Sequence, residues 1–245
     1  MPHLDLHPSD SVFVLTGAGI SAESGIRTFR DSNGLWEEHR VEEVASPEGF
    51  ARRPELVWRF YGQRRAQALG VRPNPAHAAL AELERALGPE RFFLCTQNVD
   101  PLHEAAGSQE PAHMHGELFK TRCSDEHCAT LPFHDERHAF EAGLPRCGCG
   151  ALQRPHIVWF GEMPFEMQAI KRRLQRCTLF VTVGSSGAVY PAAGFVRELL
   201  YRRSCGERVR TAYVGLERPQ NAADFDEVLL GKAGELLPGL FRVVG

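Results

Sequence analysis

The sequence predicts an α/β fold, a Rossmann-like parallel sheet with helices on both faces, together with a small cysteine-containing module. Five short apolar runs rich in β-formers recur along the chain, at residues 12–15, 92–95, 157–160, 179–183 and 211–214. Stretches with helical spacing or helix-forming composition lie between these runs, at residues 54–69, 76–87, 165–174 and 192–203. Strands that alternate with helices form a parallel sheet with crossover helices.

Length and composition fit one large catalytic domain, residues 1–245, with residues 121–153 inserted as a small module. A hydrophobic content of 43% is enough for a sizeable core, and a net charge of −3 gives no basic excess for binding nucleic acid directly. No apolar run is long enough to span a bilayer, and the first ten residues lack a signal sequence. We therefore expect a cytoplasmic protein without a membrane or nucleic-acid partner.

The first apolar run leads directly into Gly17-Ala18-Gly19, with Ser21 and Ala22 close behind. A strand that ends in Gly-x-Gly before a helix is typical of a phosphate cradle, because glycine lets the backbone approach a pyrophosphate. An ordinary tight turn would show the same glycines. No acidic residue follows a clear second strand, which disfavours a classical dehydrogenase.

Two further polar segments narrow the function. They read T-Q-N-V-D-P-L-H at residues 96–103 and H-M-H-G-E-L at residues 113–118. Together with G-A-G-I-S at residues 17–21 they resemble the sirtuin family, the NAD-dependent protein-lysine deacylases. G-S-S at 184–186 and G-K-A at 231–233 fit the same pattern. The resemblance spans residue 12 to the C-terminus and implies that NAD is a co-substrate and that acylated-lysine proteins are substrates.

The resemblance implies two catalytic residues, His115 and Asn98. A histidine that is neutral near neutral pH can take a proton from a ribose hydroxyl, so His115 is the expected general base. His103 is expected to be a structural hydrogen-bonding residue. His113 should point the opposite way from His115 if the chain is extended there. Asn98 would order the nicotinamide ribose and a water molecule.

The resemblance also implies a set of NAD contacts. Gln97 would contact ribose hydroxyls, Asp100 the nicotinamide carboxamide, and Phe29 would shield the reacting ribose. Gly215 stands where the family often has an asparagine that contacts the adenosine ribose, so that contact should be missing or made by backbone. The remaining expected contacts are Gly17, Ala18, Gly19, Ser21, Ala22, Arg30, Trp36, Asn98, Gly184, Ser185, Ser186, Glu217 and Ala233.

Tyr61 and Arg64 lie three residues apart, so on a helix they share a face. A guanidinium beside a phenol makes a good carboxylate receptor, although a solvated arginine and a core-edge tyrosine would give the same spacing. In sirtuins this pair marks the class III, desuccinylase-type enzymes, and Ala45 matches the small residue that leaves room for the longer acyl chain. The peptide substrate would contact Val158, Phe160, Gly161 and Glu162.

Two close cysteine pairs, Cys123 with Cys128 and Cys147 with Cys149, predict one structural zinc ion in a zinc-ribbon module. The Cys-x-Cys pair departs from the commonest spacing. His127 and His134 are therefore possible substitute ligands, and a metal-free module is the alternative. Two alternative functions also stay open, ADP-ribosyl transfer to protein and a non-catalytic NAD-sensing module.

Overall fold

The computed structural model describes residues 3–27, 35–36, 39–140 and 143–244, with only the backbone at residues 35–36. Within these ranges the strands are β1 (Leu4–Leu6), β2 (Val12–Thr16), β3 (Leu35–Trp36), β4 (His39–Arg40), β5 (Phe92–Thr96), β6 (Ala112–His113), β7 (Gly116–Cys123), β8 (Phe133–His134), β9 (Gln153–Ile157), β10 (Leu179–Val183), β11 (Arg210–Gly215), β12 (Glu227–Leu230) and β13 (Phe241–Val243). The α-helices are α1 (Gly19–Ala22), α2 (Val41–Val44), α3 (Pro47–Arg52), α4 (Pro54–Leu69), α5 (Pro75–Leu87), α6 (Leu102–Ala105), α7 (Met167–Leu174), α8 (Phe195–Ser204) and α9 (Ala233–Leu236). Two 3₁₀ helices cover Ala192–Gly194 and Ala222–Asp224.

A six-stranded sheet in the order β12-β11-β10-β2-β5-β6 forms the centre, and every pairing in it is parallel. Side chains of β2 alternate between two apolar layers: Val12 and Val14 pack with α5 and α9, whereas Phe13 and Leu15 pack with α7 and α8. Helices therefore cover both faces, which confirms the predicted fold class. The run of β-formers is nearly continuous because both faces of these strands are buried.

The chain order of the strands places a crevice at one end of the sheet. From β2 the chain adds β5 and β6 on one side, and it later adds β10, β11 and β12 on the other. From β2 and from β10 the chain therefore continues toward opposite edges of the sheet. Ligands in open α/β sheets bind beyond the carboxyl ends of the strands at such a switch point.

A second, antiparallel sheet has the order β8-β7-β9. It corrects one sequence prediction, because residues 157–160 do not form a strand of the parallel sheet. Strand β9 ends at Ile157, and the next backbone groups bridge other segments: Val158 N–H donates to His115 O at 2.9 Å and Phe160 N–H to Ala45 O at 3.0 Å. An apolar run indicates burial, but it does not state which segment its backbone will pair with.

Two predicted helices begin later than expected. The backbone of Glu166 adopts a left-handed conformation, with φ of 58°, so α7 starts at Met167 and not at residue 165. The stretch from residue 192 starts as a 3₁₀ turn, and α8 begins at Phe195. The terminal strands β1 and β13, which the sequence did not predict, pair in parallel. Among the described residues, no helix combines the length and apolarity needed to cross a bilayer.

Candidate active site

A cavity of about 660 Å³ lies where the loops after β2, β5, β10 and β11 meet. It brings together every predicted nucleotide, catalytic and substrate residue whose side chain the structure describes. Phe29 and Arg30 lie outside the described residues, and Trp36 is described only by its backbone. The predicted residues that line the cavity are Gly17, Ala18, Gly19, Ser21, Ala22, Ala45, Tyr61, Arg64, Gln97, Asn98, Asp100, His115, Val158, Phe160, Gly161, Glu162, Gly184, Ser185, Ser186, Gly215, Glu217 and Ala233.

The glycines after β2 are required by close packing against the loop after β10. A Cβ atom on Gly17 would lie 2.8 Å from the Ser185 Cα, and one on Gly19 would lie 2.7 Å from the Gly184 Cα. Hydrogen bonds hold the same contact, since Gly17 N–H donates to Val183 O and Gly19 N–H to Gly184 O. These glycines therefore bring two cavity walls together, whatever ligand the turn also approaches.

The loop after β5 is fixed by a buried hydrogen-bond network. The Asn98 amide donates to Gly17 O at 3.2 Å and to Ser21 Oγ at 3.1 Å, and Ser21 Oγ–H donates to Asp100 Oδ2 at 3.1 Å. Burial raises the pKa of Asp100 above its ordinary value. Gln97 Nε2 reaches across the cleft to donate to Ser185 Oγ at 2.9 Å. These hydrogen bonds therefore fix the positions of the loops after β2, β5 and β10 relative to one another.

His115 has the tautomer that a general base needs. Its Nδ1 lies 3.1 Å from Gln97 O, and because a carbonyl only accepts, Nδ1 carries the hydrogen and the lone pair is on Nε2. Burial lowers the pKa of His115, which favours the neutral imidazole at pH 7. His103 lies beneath the site, with Nε2 2.9 Å from Thr16 Oγ1, and His113 turns away from the cavity. His103 makes the structural hydrogen bond that was expected. His113 does not line the cavity, but residues 114–115 form a turn and not the extended chain on which its prediction depended.

Tyr61 and Arg64 lie side by side on α4 and both face the cavity. They are 0% and 8% exposed, so the alternative of a solvated arginine does not hold. Burial raises the pKa of Tyr61 to about 12, and the phenol therefore keeps its hydrogen. Its oxygen accepts a hydrogen bond from Trp159 Nε1 at 3.1 Å. A neutral phenol and a guanidinium therefore lie next to each other in the wall of the cavity.

Comparison with known proteins agrees with the fold and the cavity described above. Residues 17–191 match the family model described as "Sir2 family". The chain belongs to the Sir2 family. An "NAD-dependent protein deacylase" of Pasteurella multocida is 51% identical over 237 residues, which cover 93% of this chain and 94% of that protein. A "Sir2 homolog–NAD complex" superposes with a TM-score of 0.84 at 38% identity, covering 95% of this chain and 89% of the other. A structure of "Sir2 bound to acetylated peptide" gives 0.76 at 29% identity, covering 93% and 90%. The predicted family, fold and enzyme class, an NAD-dependent protein deacylase, are confirmed.

The four predicted cysteines of this Sir2-family protein meet in one cluster. Cys123 Sγ lies 3.5 Å from Cys149 Sγ, and Cys128 Sγ lies 3.7 Å from Cys147 Sγ. A tetrahedron with Zn–S distances of ~2.3 Å has edges of about 3.8 Å, so these sulfurs fit a zinc ion. The substitutes His127 and His134 are not part of the cluster and lie beside Glu126 and Glu136 instead. A site closed by four protein thiolates would be structural.

The sequence does not identify Arg154 and Trp159 as residues that support Tyr61 in the Sir2 cavity. The Glu162 carboxylate accepts from Arg154 Nη1 at 2.6 Å and from Trp159 N–H at 2.8 Å. The Arg154 guanidinium carbon lies 3.4 Å from the Trp159 ring centroid. Glu162, predicted only as a substrate contact, therefore also fixes the indole that meets Tyr61. No spacing in the sequence signals this, because the indole and the phenol are 98 residues apart.

We predict that His115→Ala lowers kcat by roughly 10²–10⁴ and changes NAD binding little, because it removes only the proton acceptor. In the parent enzyme, activity should fall as the pH drops through the His115 pKa, and this acid limb should lie below the pH of an ordinary histidine. Steady-state kinetics over a pH series measures both, with His127→Ala, an exposed histidine, as the control. Near-normal turnover by His115→Ala would exclude the residue from the mechanism.

We predict about one zinc ion per chain in metal analysis of the purified protein. Cys123→Ser should lose the metal and lower the melting temperature, because three thiolates hold zinc less well than four. Cys205→Ser is the matched control, since Cys205 is exposed and outside the cluster. Active, stable protein without metal would show that the cysteines do not form a zinc site.

Proposed function

We propose that this protein removes succinyl and malonyl groups, as well as acetyl groups, from lysine side chains of proteins, with NAD as co-substrate. The observation that carries the acyl preference is the placement of Arg64 and Tyr61 in the same cavity as His115. A guanidinium can bind both oxygens of a carboxylate in parallel, and a neutral phenol can donate a third hydrogen bond. The buried ion pair between the Arg64 guanidinium and such a carboxylate would favour acyl groups that end in a carboxylate.

The small side chain of Ala45 supports the same preference. It follows α2, is 3% exposed, and lines the cavity together with Tyr61. Its carbonyl accepts from Phe160 N–H at 3.0 Å, which holds the 158–162 segment beside the acyl end. A larger residue at position 45 would take up space that a four-carbon acyl chain needs.

The remaining chemistry follows from the placement of the polar residues. In the proposed reaction the acyl oxygen of the modified lysine attacks C1′ of the nicotinamide ribose, and nicotinamide leaves. A ribose hydroxyl then attacks the imidate carbon while its proton passes to His115 Nε2. Water completes the reaction and gives free lysine and O-acyl-ADP-ribose. Asn98, which is 7% exposed, would orient the ribose, and its burial strengthens this polar interaction.

We also propose which residues contact the adenosine part of NAD. The Gly184–Ser186 loop would hold the adenosine side of NAD. Tyr213 fills the space beside Gly215, because a Cβ there would lie 2.4 Å from the Tyr213 hydroxyl. The absent asparagine contact could not be restored at position 215 without moving that tyrosine. The single catalytic domain with residues 121–153 inserted, and the cytoplasmic location, also stay predictions.

We predict that Arg64→Met reduces kcat/KM for a succinyl-lysine peptide by roughly 30-fold to several thousandfold, which corresponds to a loss of about 2–5 kcal/mol. In this variant the carboxylate of the succinyl group would be desolvated without the Arg64 guanidinium as its partner. Turnover of the matching acetyl-lysine peptide should change much less. Arg59→Met is the matched control, since Arg59 is exposed on the same helix. Equal losses with both peptides would mean that Arg64 is structural and that the acyl assignment is wrong.

A further inference from the structure

His113 is a buried histidine that contacts two hydrogen-bond acceptors. Its side chain is 7% exposed and lies outside the cavity. Its Nδ1 lies 3.1 Å from the backbone oxygen of Asn98, and its Nε2 lies 2.6 Å from Oε1 of Glu104. A carbonyl cannot donate a hydrogen bond, and an ionised carboxylate cannot either. Both ring nitrogens must therefore carry hydrogen for both contacts to be attractive.

We propose that His113 is a positioning residue: as an imidazolium ion paired with Glu104, it holds the backbone of Asn98 in the geometry that the active site uses. The inference rests on the proposed function only for the role of Asn98. It assigns no contact between His113 and either substrate.

The bond from His113 completes the fixation of Asn98. The backbone N–H of Asn98 donates to Thr96 Oγ1 at 3.0 Å, and its side-chain amide donates to Gly17 O and Ser21 Oγ. The carbonyl of Asn98 is held by His113, which lies on the neighbouring strand β6. His115 binds the preceding carbonyl, that of Gln97, in the same way. Two histidines that are two residues apart thus hold two successive peptide groups of the catalytic loop.

The charges around His113 favour the ion pair. Burial on its own would lower the pKa of His113, but the hydrogen bond and charge of Glu104, the Asn98 carbonyl and the charge of Glu117 outweigh burial and raise it. Burial would raise the pKa of Glu104, and the hydrogen bond and charge of His113 outweigh it and lower that pKa. Among the described residues, Asp100 and His103 also interact electrostatically with His113, and the nearby Glu117 pairs with Lys120 Nζ at 2.6 Å.

Loss of the second proton would turn the contact with Asn98 from attractive to repulsive. A neutral His113 keeps one hydrogen, and the carboxylate of Glu104 at 2.6 Å would hold it on Nε2. The lone pair of Nδ1 would then face the carbonyl oxygen of Asn98. Since the pKa of His113 is raised, the attractive state exists below that pKa and is lost as the pH rises through it. Activity should therefore show an alkaline limb that follows the titration of His113.

The test combines nitrogen NMR with kinetics on the full chain. In ¹⁵N-histidine-labelled protein, with the signal assigned by its absence in His113→Gln, both His113 nitrogens should be protonated at neutral pH. His113→Leu should lower kcat roughly ten- to a hundredfold, because small displacements of a positioned group are costly. Its KM for NAD should change by less than about threefold, because His113 is not among the residues that line the cavity. His113→Asn places an amide near Nδ1 and should recover part of the rate.

Glu104→Gln separates the ion pair from a merely structural role. The amide of glutamine can donate to Nε2 of a neutral imidazole, which leaves the Nδ1 hydrogen on Asn98, so this variant should keep activity and lose the alkaline limb. In Glu104→Ala no carboxylate holds the hydrogen on Nε2, so a neutral His113 can also keep its hydrogen on Nδ1, and the alkaline limb should be lost in this variant too. A singly protonated His113 at neutral pH, or an unchanged alkaline limb in Glu104→Gln, would overturn the inference. A parent enzyme that removes no acyl group would instead overturn the proposed function and leave the NMR result unaffected.

Discussion

The hydrogen bonds that join Ser21, Asn98 and Asp100 are the constraint on which the rest of the site depends. They connect the turn after β2 to the loop after β5 in a region where these polar side chains are all less than 10% exposed. Buried polar groups that are fully paired hold one arrangement, because any other arrangement would leave a donor or acceptor without water or a partner. The network therefore sets the position of Asn98 relative to the nucleotide turn before any ligand binds.

The other walls of the cavity are fixed against this network. The loop after β10 packs on Gly17 and Gly19 so closely that no Cβ fits between them. Beside α4, Arg154 and Glu162 hold Trp159, and the indole of Trp159 donates to the hydroxyl of Tyr61. Hydrogen bonds and close packing therefore hold the described walls of the cavity in place before any ligand binds. Such rigidity is what electrostatic stabilisation of a developing positive charge requires.

The sequence could predict the parts of the site that lie in contiguous motifs. Three such segments are Gly17–Ser21, Gln97–Asp100 and the one that contains His115. Each lies next to a strand of the parallel sheet, so the sequence predicts that they meet at one edge of that sheet. The prediction that residues 157–160 form a strand of the parallel sheet is wrong, because burial alone does not fix a pairing partner. The support of His113 by Glu104 and of Tyr61 by Trp159 depends on folded contacts, which no spacing encodes. The roles expected for Phe29, Arg30 and Trp36 stay predictions.

The most direct test of the account is the identity of the products. Parent enzyme would be incubated with NAD and either a succinyl-lysine or an acetyl-lysine peptide, and all species would be followed by mass spectrometry. We expect unmodified peptide, nicotinamide and the matching O-acyl-ADP-ribose, with the succinyl product formed at least as readily as the acetyl product. Transfer of ADP-ribose to protein without loss of the acyl group, or removal of acetyl groups alone, would contradict it.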